Sequence, residues 1–132
     1  MKANKILIAL ILLTGCLHAA PELRLLKEFP PDEDSPAAAA VKYLKAGSEN
    51  DVETMKELTF GIPHSIILKE ETRESIIADL ENIDWEKEVQ WAQLVNDDSA
   101  KVAFRYFFKD SGRKNRHTLD MKLVDGVWKY GF

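Results

Sequence analysis

Tyr106 and His117 are the side chains whose types and spacing come nearest to acid–base chemistry. With Ser111-Gly112 as a two-residue turn, the strands on either side place Tyr106 opposite His117. His117 could then act as a base, and Tyr106 as a hydrogen-bond donor to a developing oxyanion. Gln93 and Asn115 are the other polar residues assigned to that face, and Trp91 lies on it too. Trp91, Tyr106, Asn115 and His117 are therefore the candidate pocket residues. The ordinary alternative is a histidine at the rim and a tyrosine using its amphipathic ring in the core. No catalytic set beyond this pair stands out.

Other chemistries lack their residues. His18, His64 and His117 are far apart and form no His-Glu-x-x-His pattern, so no metal site is expected. Asp32-Glu33-Asp34 is not followed by calcium-loop spacing and reads as an acidic turn before a helix. Ser35, Ser65 and Ser111 lack a Gly-x-Ser-x-Gly setting. The short glycine sites are turns, so neither a phosphate cradle nor a cofactor is expected. Arg113-Lys114 and Arg116 form a basic cluster, but a net charge of −4 argues against nucleic acid. Anionic lipid or an acidic partner would suit the cluster better.

The 132 residues fit one domain, and a hydrophobic fraction of 45% excludes wholesale disorder. A lone cysteine, Cys16, excludes an internal disulfide framework. Lys2 and Lys5 precede an apolar run over residues 6–13, too short for a membrane span and laid out like a secretory signal. Leu13-Thr14-Gly15-Cys16 resembles the cleavage box of bacterial lipoproteins. That resemblance implies a diacylglyceryl thioether on Cys16, cleavage before it, and often acylation of the new amine, with palmitate a typical chain. The competing readings are cleavage near Ala19-Ala20, where Leu17 or His18 would fill a position that prefers a small residue, and a buried structural cysteine. The expected organisation is a signal peptide over 1–15, a lipid anchor and tether over 16–34, and a domain over 35–132. The mature chain would carry 16 basic and 22 acidic side chains, a net of −6. Leu17, rather than Asp, follows the cysteine. The usual sorting pattern would place the protein on the outer membrane facing the periplasm if the cell has two membranes.

In the tether, Pro21, Pro30 and Pro31 oppose regular structure. Leu23, Leu25, Leu26 and Phe29 are too apolar for a pure spacer, and suit packing on the domain, the membrane or a partner. Ser35-Pro36 is a strong helix start, followed by Ala37, Ala40, Val41 and Leu44 at helical spacing, with Gly47 as the stop. Asn50 and Glu53 suggest a capping box for a second helix. A third is expected over 65–80, with Ile66, Ile76, Ile77, Leu80 and Ile83 as its apolar face and a possible break within 69–75.

After Trp85 the period changes to two, giving strands over 86–95, 100–109, 114–124 and 127–132. Three turns place Val89, Trp91, Phe104, Tyr106, Leu119, Met121, Trp128 and Tyr130 on one face. The other face carries Arg105, Arg116, Thr118, Asp120, Lys122 and Lys129, with Arg105 and Asp120 as diagonal neighbours. Phe107 falls on that polar face, so Phe107 and Arg105 are interface candidates. Residues 16–85 hold 7 basic and 15 acidic groups, whereas residues 86–132 hold 9 and 7.

The resulting class is α+β, with N-terminal helices packed on a curved four-stranded antiparallel meander. Ser35-Pro36, Val41, Tyr43-Leu44, the Gly47/Asn50 break and Met55-Lys56-Glu57-Leu58, closing on Asp125-Gly126-Val127-Trp128-Lys129, resemble small bacterial lipoproteins with the nuclear transport factor 2-like (cystatin-like) fold. The resemblance implies a sheet wrapped around helices as a cone, many members with no assigned activity, and relatives that dimerise through the outer sheet face. Enzymes of this fold, such as ketosteroid isomerases, place a carboxylate inside the cone. Asp120 is expected to face out, which counts against catalysis. The function expected is a membrane-anchored binding or interaction module for an envelope protein or small ligand. The alternatives are an inhibitor or immunity protein and a small isomerase- or cyclase-like enzyme.

Overall fold

A computed structural model of the chain describes residues 21–28 and 30–132. Cys16, with its cleavage box, and Phe29 lie outside the described residues.

Ser35 caps helix α1 (Pro36–Ser48), its hydroxyl accepting from the Ala38 backbone N–H at 3.1 Å with Pro36 in the first turn. The Gln93 side chain accepts from the Ala37 N–H at 3.1 Å, so this polar residue of the inner face satisfies the helix start. Gly47 does not end the helix. It lies inside α1, where any Cβ would overlap the Leu80 side chain. Asn50 takes the left-handed conformation after the helix, at φ 60°. The cap of α2 (Val52–Glu57) is therefore Asp51, one residue later than expected, accepting from the Thr54 N–H and hydroxyl.

The third expected helix is two. After strand β2 (Thr59–Phe60) come α3 (Gly61–Leu68) and α4 (Glu70–Glu81), separated by Lys69 in an extended conformation. Ile67, rather than Ile66, is the fully buried member of α3, while Ile77, Leu80 and Ile83 are buried as the periodicity predicts.

The sheet has six strands, not four, in the order β1-β3-β4-β5-β6-β2. The four central ones are β3 (Gln90–Asn96), β4 (Ser99–Phe107), β5 (Lys114–Val124) and β6 (Val127–Gly131). Both edges come from short extended segments without a strand-like sequence period. Arg24–Leu25 forms β1, antiparallel to β3, and β2 runs parallel to β6. Residues assigned to the tether thus complete the sheet. Leu26 packs against the core, and its N–H donates to the Val89 carbonyl at 2.8 Å.

Trp91 faces Phe104, and Met121 faces Tyr130, as the turns predict. The β4–β5 register differs by two residues. Ala100 faces Met121, Phe104 faces His117, and Tyr106 faces Asn115 rather than His117. The cause is the loop. Phe108 donates to the Arg113 carbonyl, and Gly112 donates back to Phe108 with φ 69°, so four residues make the connection where two were expected. Asn82, after α4, holds that loop open: its amide exchanges two hydrogen bonds with Asp110, at 3.0 and 3.1 Å. A shift of two preserves the faces. It does break the expected Arg105–Asp120 neighbourhood: Arg105 lies opposite Arg116, and Asp120 pairs with Lys101 at 2.6 Å.

Val102, Phe104, Leu119 and Met121 fill the inner face of the sheet against Leu44, Met55 and Ile67, each essentially without solvent exposure. Each such side chain contributes about 1.5–3 kcal/mol relative to exposure. Among the described residues no helix is long and apolar enough to cross a membrane.

Candidate functional site

The packed inner face stops short of one end of the sheet. There a cavity of about 280 Å³ opens between α1, α3, α4 and the ends of β4, β5 and β6. Tyr106, Asn115 and His117 line it, so three of the four expected pocket residues come together. Trp91 does not line it. It is buried near the opposite edge of the sheet, opposite Arg24 of β1, whose guanidinium lies 5.7 Å from its ring centroid.

Five aromatic rings surround the cavity. Tyr106 and Phe108 meet edge to face at 5.7 Å; Tyr43 and Tyr130 are tilted at 5.1 Å; Tyr130 meets Phe132 at 6.4 Å. Tyr130 and Phe132 therefore belong to a pocket wall, while Phe104 belongs to the core. Tyr43 rises from the buried stripe of α1, next to Leu44.

The polar geometry is specific. Asn115 Nδ2 donates to the Tyr106 hydroxyl at 3.1 Å. Burial raises the Tyr106 hydroxyl above its ordinary pKa; the Asn115 bond opposes this and the Asp79 charge adds to it. Burial likewise pushes Tyr43 and Tyr130 up, so all three phenols are protonated at neutral pH. Burial lowers His117, because the imidazolium would lose its hydration, and the ring is neutral at pH 7.

Asp79 is the residue that sequence reasoning missed. It lines the cavity from α4, three residues after Ile76 and four before Ile83. A carboxylate on an apolar helical stripe was the available signal. It gives the site a carboxylate on a helix, where the strands had offered none. Among the described residues that line the cavity, Asp79 is the one acidic side chain, and none is a lysine or arginine.

A larger surface hollow, about 580 Å³, lies between the N-terminal segment and the start of β3, lined by Leu25, Leu26, Pro30, Pro31, Lys45 and Trp85 among others. It holds none of the candidate residues. The outer sheet face carries Arg105 and Phe107 as expected, with Lys87 and Lys114 ammonium groups 5.4 and 5.5 Å from the Phe107 ring. Among the described residues no group of His, Cys, Asp and Glu is placed to hold a metal ion.

No family model matches the sequence, and no curated protein matches it. Solved structures share the architecture. A SEC-C motif containing protein from Rhodopseudomonas palustris is 18% identical with a TM-score of 0.58, over 77% of this chain and 79% of that one. A protein from Campylobacter jejuni described as an NTF2-like transpeptidase is 14% identical with a TM-score of 0.56, over 74% of this chain and 98% of that one. The likeness is one of fold. The chain has an α+β architecture with a six-stranded sheet, similar in fold to that NTF2-like protein.

Proposed function

We propose that this chain is a lipid-anchored protein of the bacterial envelope whose domain binds a small ligand in the aromatic cavity, without catalysis. The observation that carries the binding reading is the pairing of Tyr106 with Asn115 instead of His117. A general base needs a partner that orients it and a donor beside it. The His117 ring has no hydrogen-bonded partner among the described residues, and the Tyr106 hydroxyl is already engaged by an amide. The cavity provides surface and selectivity more readily than proton transfer.

Its lining also selects the ligand. Aromatic faces carry negative potential, and Asp79, solvent-exposed where it lines the cavity, adds an acidic side chain with no lysine or arginine beside it in the wall. The ligand class is a small, largely apolar molecule bearing a cationic group. Calorimetric titration with benzyltrimethylammonium and its neutral tert-butyl counterpart tests this. The cation should bind more tightly, and Asp79→Asn should weaken it about tenfold while leaving the neutral compound unchanged. Equal binding of both compounds would defeat the ligand class.

The anchor rests on the Leu13-Thr14-Gly15-Cys16 box and the short charged, apolar leader. Two or three acyl chains on Cys16 would hold the mature protein firmly. In a cell with two membranes it would face the periplasm from the outer one. Cys16→Ser should move the protein out of the membrane fraction; unchanged fractionation would sink the anchor.

A second reading has one specific observation in its favour: Asp79 and His117 line the same cavity. An isomerase- or cyclase-like enzyme would need both. It predicts turnover abolished by His117→Gln and by Asp79→Asn, whereas the binding reading predicts altered affinity with no turnover.

A further inference from the structure

Among the described residues, the outer sheet face is strongly basic although the chain is acidic overall. On the outer sheet face the register brings together Lys101, Arg105, Lys114, Arg116, Lys122 and Lys129. Asp120 is the single carboxylate among the strand residues of that face, and it is already paired with Lys101. Arg105 and Arg116 stand directly opposite each other, a like-charge pair that costs stability unless an anion lies between them. Phe107 sits beside them, half-buried under two lysine ammonium groups, and Leu94 on the neighbouring strand is 58% exposed. On the other side α4 carries the opposite sign, with Glu70, Glu71, Glu74, Asp79 and Glu81 against Arg73, while α1 holds Lys42 and Lys45.

We propose that this face docks on the anionic lipid headgroups of the membrane to which Cys16 is attached; the inference rests on the anchored reading above. Two observations select that occupant. The first is reach. β1 begins at Arg24, eight residues after Cys16, so the anchor allows at most about 28 Å of extended chain. Leu25 pairs with Gln90, Gln90 with Arg105, and Arg105 with Arg116. At ~4.8 Å per strand, Arg105 and Arg116 lie only about 10 and 14 Å from the edge where the anchored segment joins the sheet. The second is charge. An anionic surface attracts the sheet and repels α4, so it turns the domain onto its outer face and leaves the cavity, which α4 lines, on the far side. Two copies meeting through this face would set one cationic row against another, which disfavours a homodimer there.

The test uses the mature chain from residue 16 carrying Cys16→Ser, so that acyl chains do not dominate the partitioning. Co-sedimentation is measured with vesicles of equal parts phosphatidylglycerol and phosphatidylcholine, and with phosphatidylcholine alone. Binding is expected to the first and not the second, and to fade in about 1 M salt, where the screening length falls to ~3 Å. Each cation near such a surface strengthens partitioning about fivefold, so Arg105→Gln, Lys114→Gln and Arg116→Gln together should weaken it about a hundredfold. Lys42→Gln with Lys69→Gln, both exposed on the helical side, removes comparable charge elsewhere and should change little. Equal binding to both vesicles, or full binding by the triple variant, would overturn the proposal. So would lipid-free self-association that the triple variant abolishes, which would assign the face to a second copy. An unacylated Cys16 in the protein taken from its own cells would overturn the anchored reading itself, independently of the vesicle result.

Discussion

The Asn115 amide donates to the Tyr106 hydroxyl at 3.1 Å, and His117 stands one inward-facing pair away, opposite Phe104. That displacement separates a base from a proton donor and replaces a reactive pair with a satisfied one. It originates outside the cavity, in the Asn82–Asp110 bonds that brace the four-residue loop. The loop thus decides what the pocket can do.

The Tyr106–Asn115 bond can be measured. Tyr106→Phe and Asn115→Ala should each lower unfolding free energy by about 1 kcal/mol. Because either change removes the same bond, the double variant should lose distinctly less than the sum. Urea denaturation of the four proteins completes the cycle. Strict additivity would mean that the bond carries no energy.

His117 makes stability pH-dependent in a defined direction. Its folded-state pKa lies below the unfolded value of ~6.5, so the unfolded chain binds the proton more readily. The associated stability is fully present above that unfolded pKa. It is lost as pH falls through the unfolded value and then the folded one, and no more is lost below. The urea midpoint of the wild type should therefore fall between pH 8 and pH 5 relative to that of His117→Gln. A parallel pair of curves would contradict the burial of this ring.

The N-terminal segment should behave as part of the domain. A chain beginning at residue 30 loses β1, the Leu26 packing and the Leu26–Val89 bond, which together are worth about 2–4 kcal/mol. The lost cover also exposes Trp91, so its fluorescence should shift to the red. Unchanged stability on truncation would return these residues to the role of a spacer.

Gly47 is a close-approach position, not a helix stop. Gly47→Ala should cost about 1–3 kcal/mol by overlap with Leu80, despite alanine's better helix propensity. In a Leu80→Ala background the same change should become neutral or stabilising. Thermal unfolding of the two pairs distinguishes the overlap from a backbone effect.

The faces of the sheet were legible because alternation leaves a period of two in the sequence. The β4–β5 pairing was not, because its loop length is set by Asn82, distant in sequence and unremarkable in type. The same limit explains the strand count. Arg24–Leu25 and Thr59–Phe60 are too short to show a period, and they become strands because neighbouring edges accept their hydrogen bonds. At the site, Tyr106, Asn115 and His117 were recoverable as inward-facing polar residues. Asp79 required placing a helix over the sheet end, and Trp91 was misplaced because an inward direction does not say which end of the cone is open.

Native mass spectrometry of the protein gently extracted from its own membrane tests the anchor and the ligand together. A chain beginning at Cys16 is expected, bearing acyl mass on that residue and retaining a small cationic molecule that Asp79→Asn releases. A chain still beginning at Met1, or one with a free Cys16 and an empty cavity, would contradict that expectation.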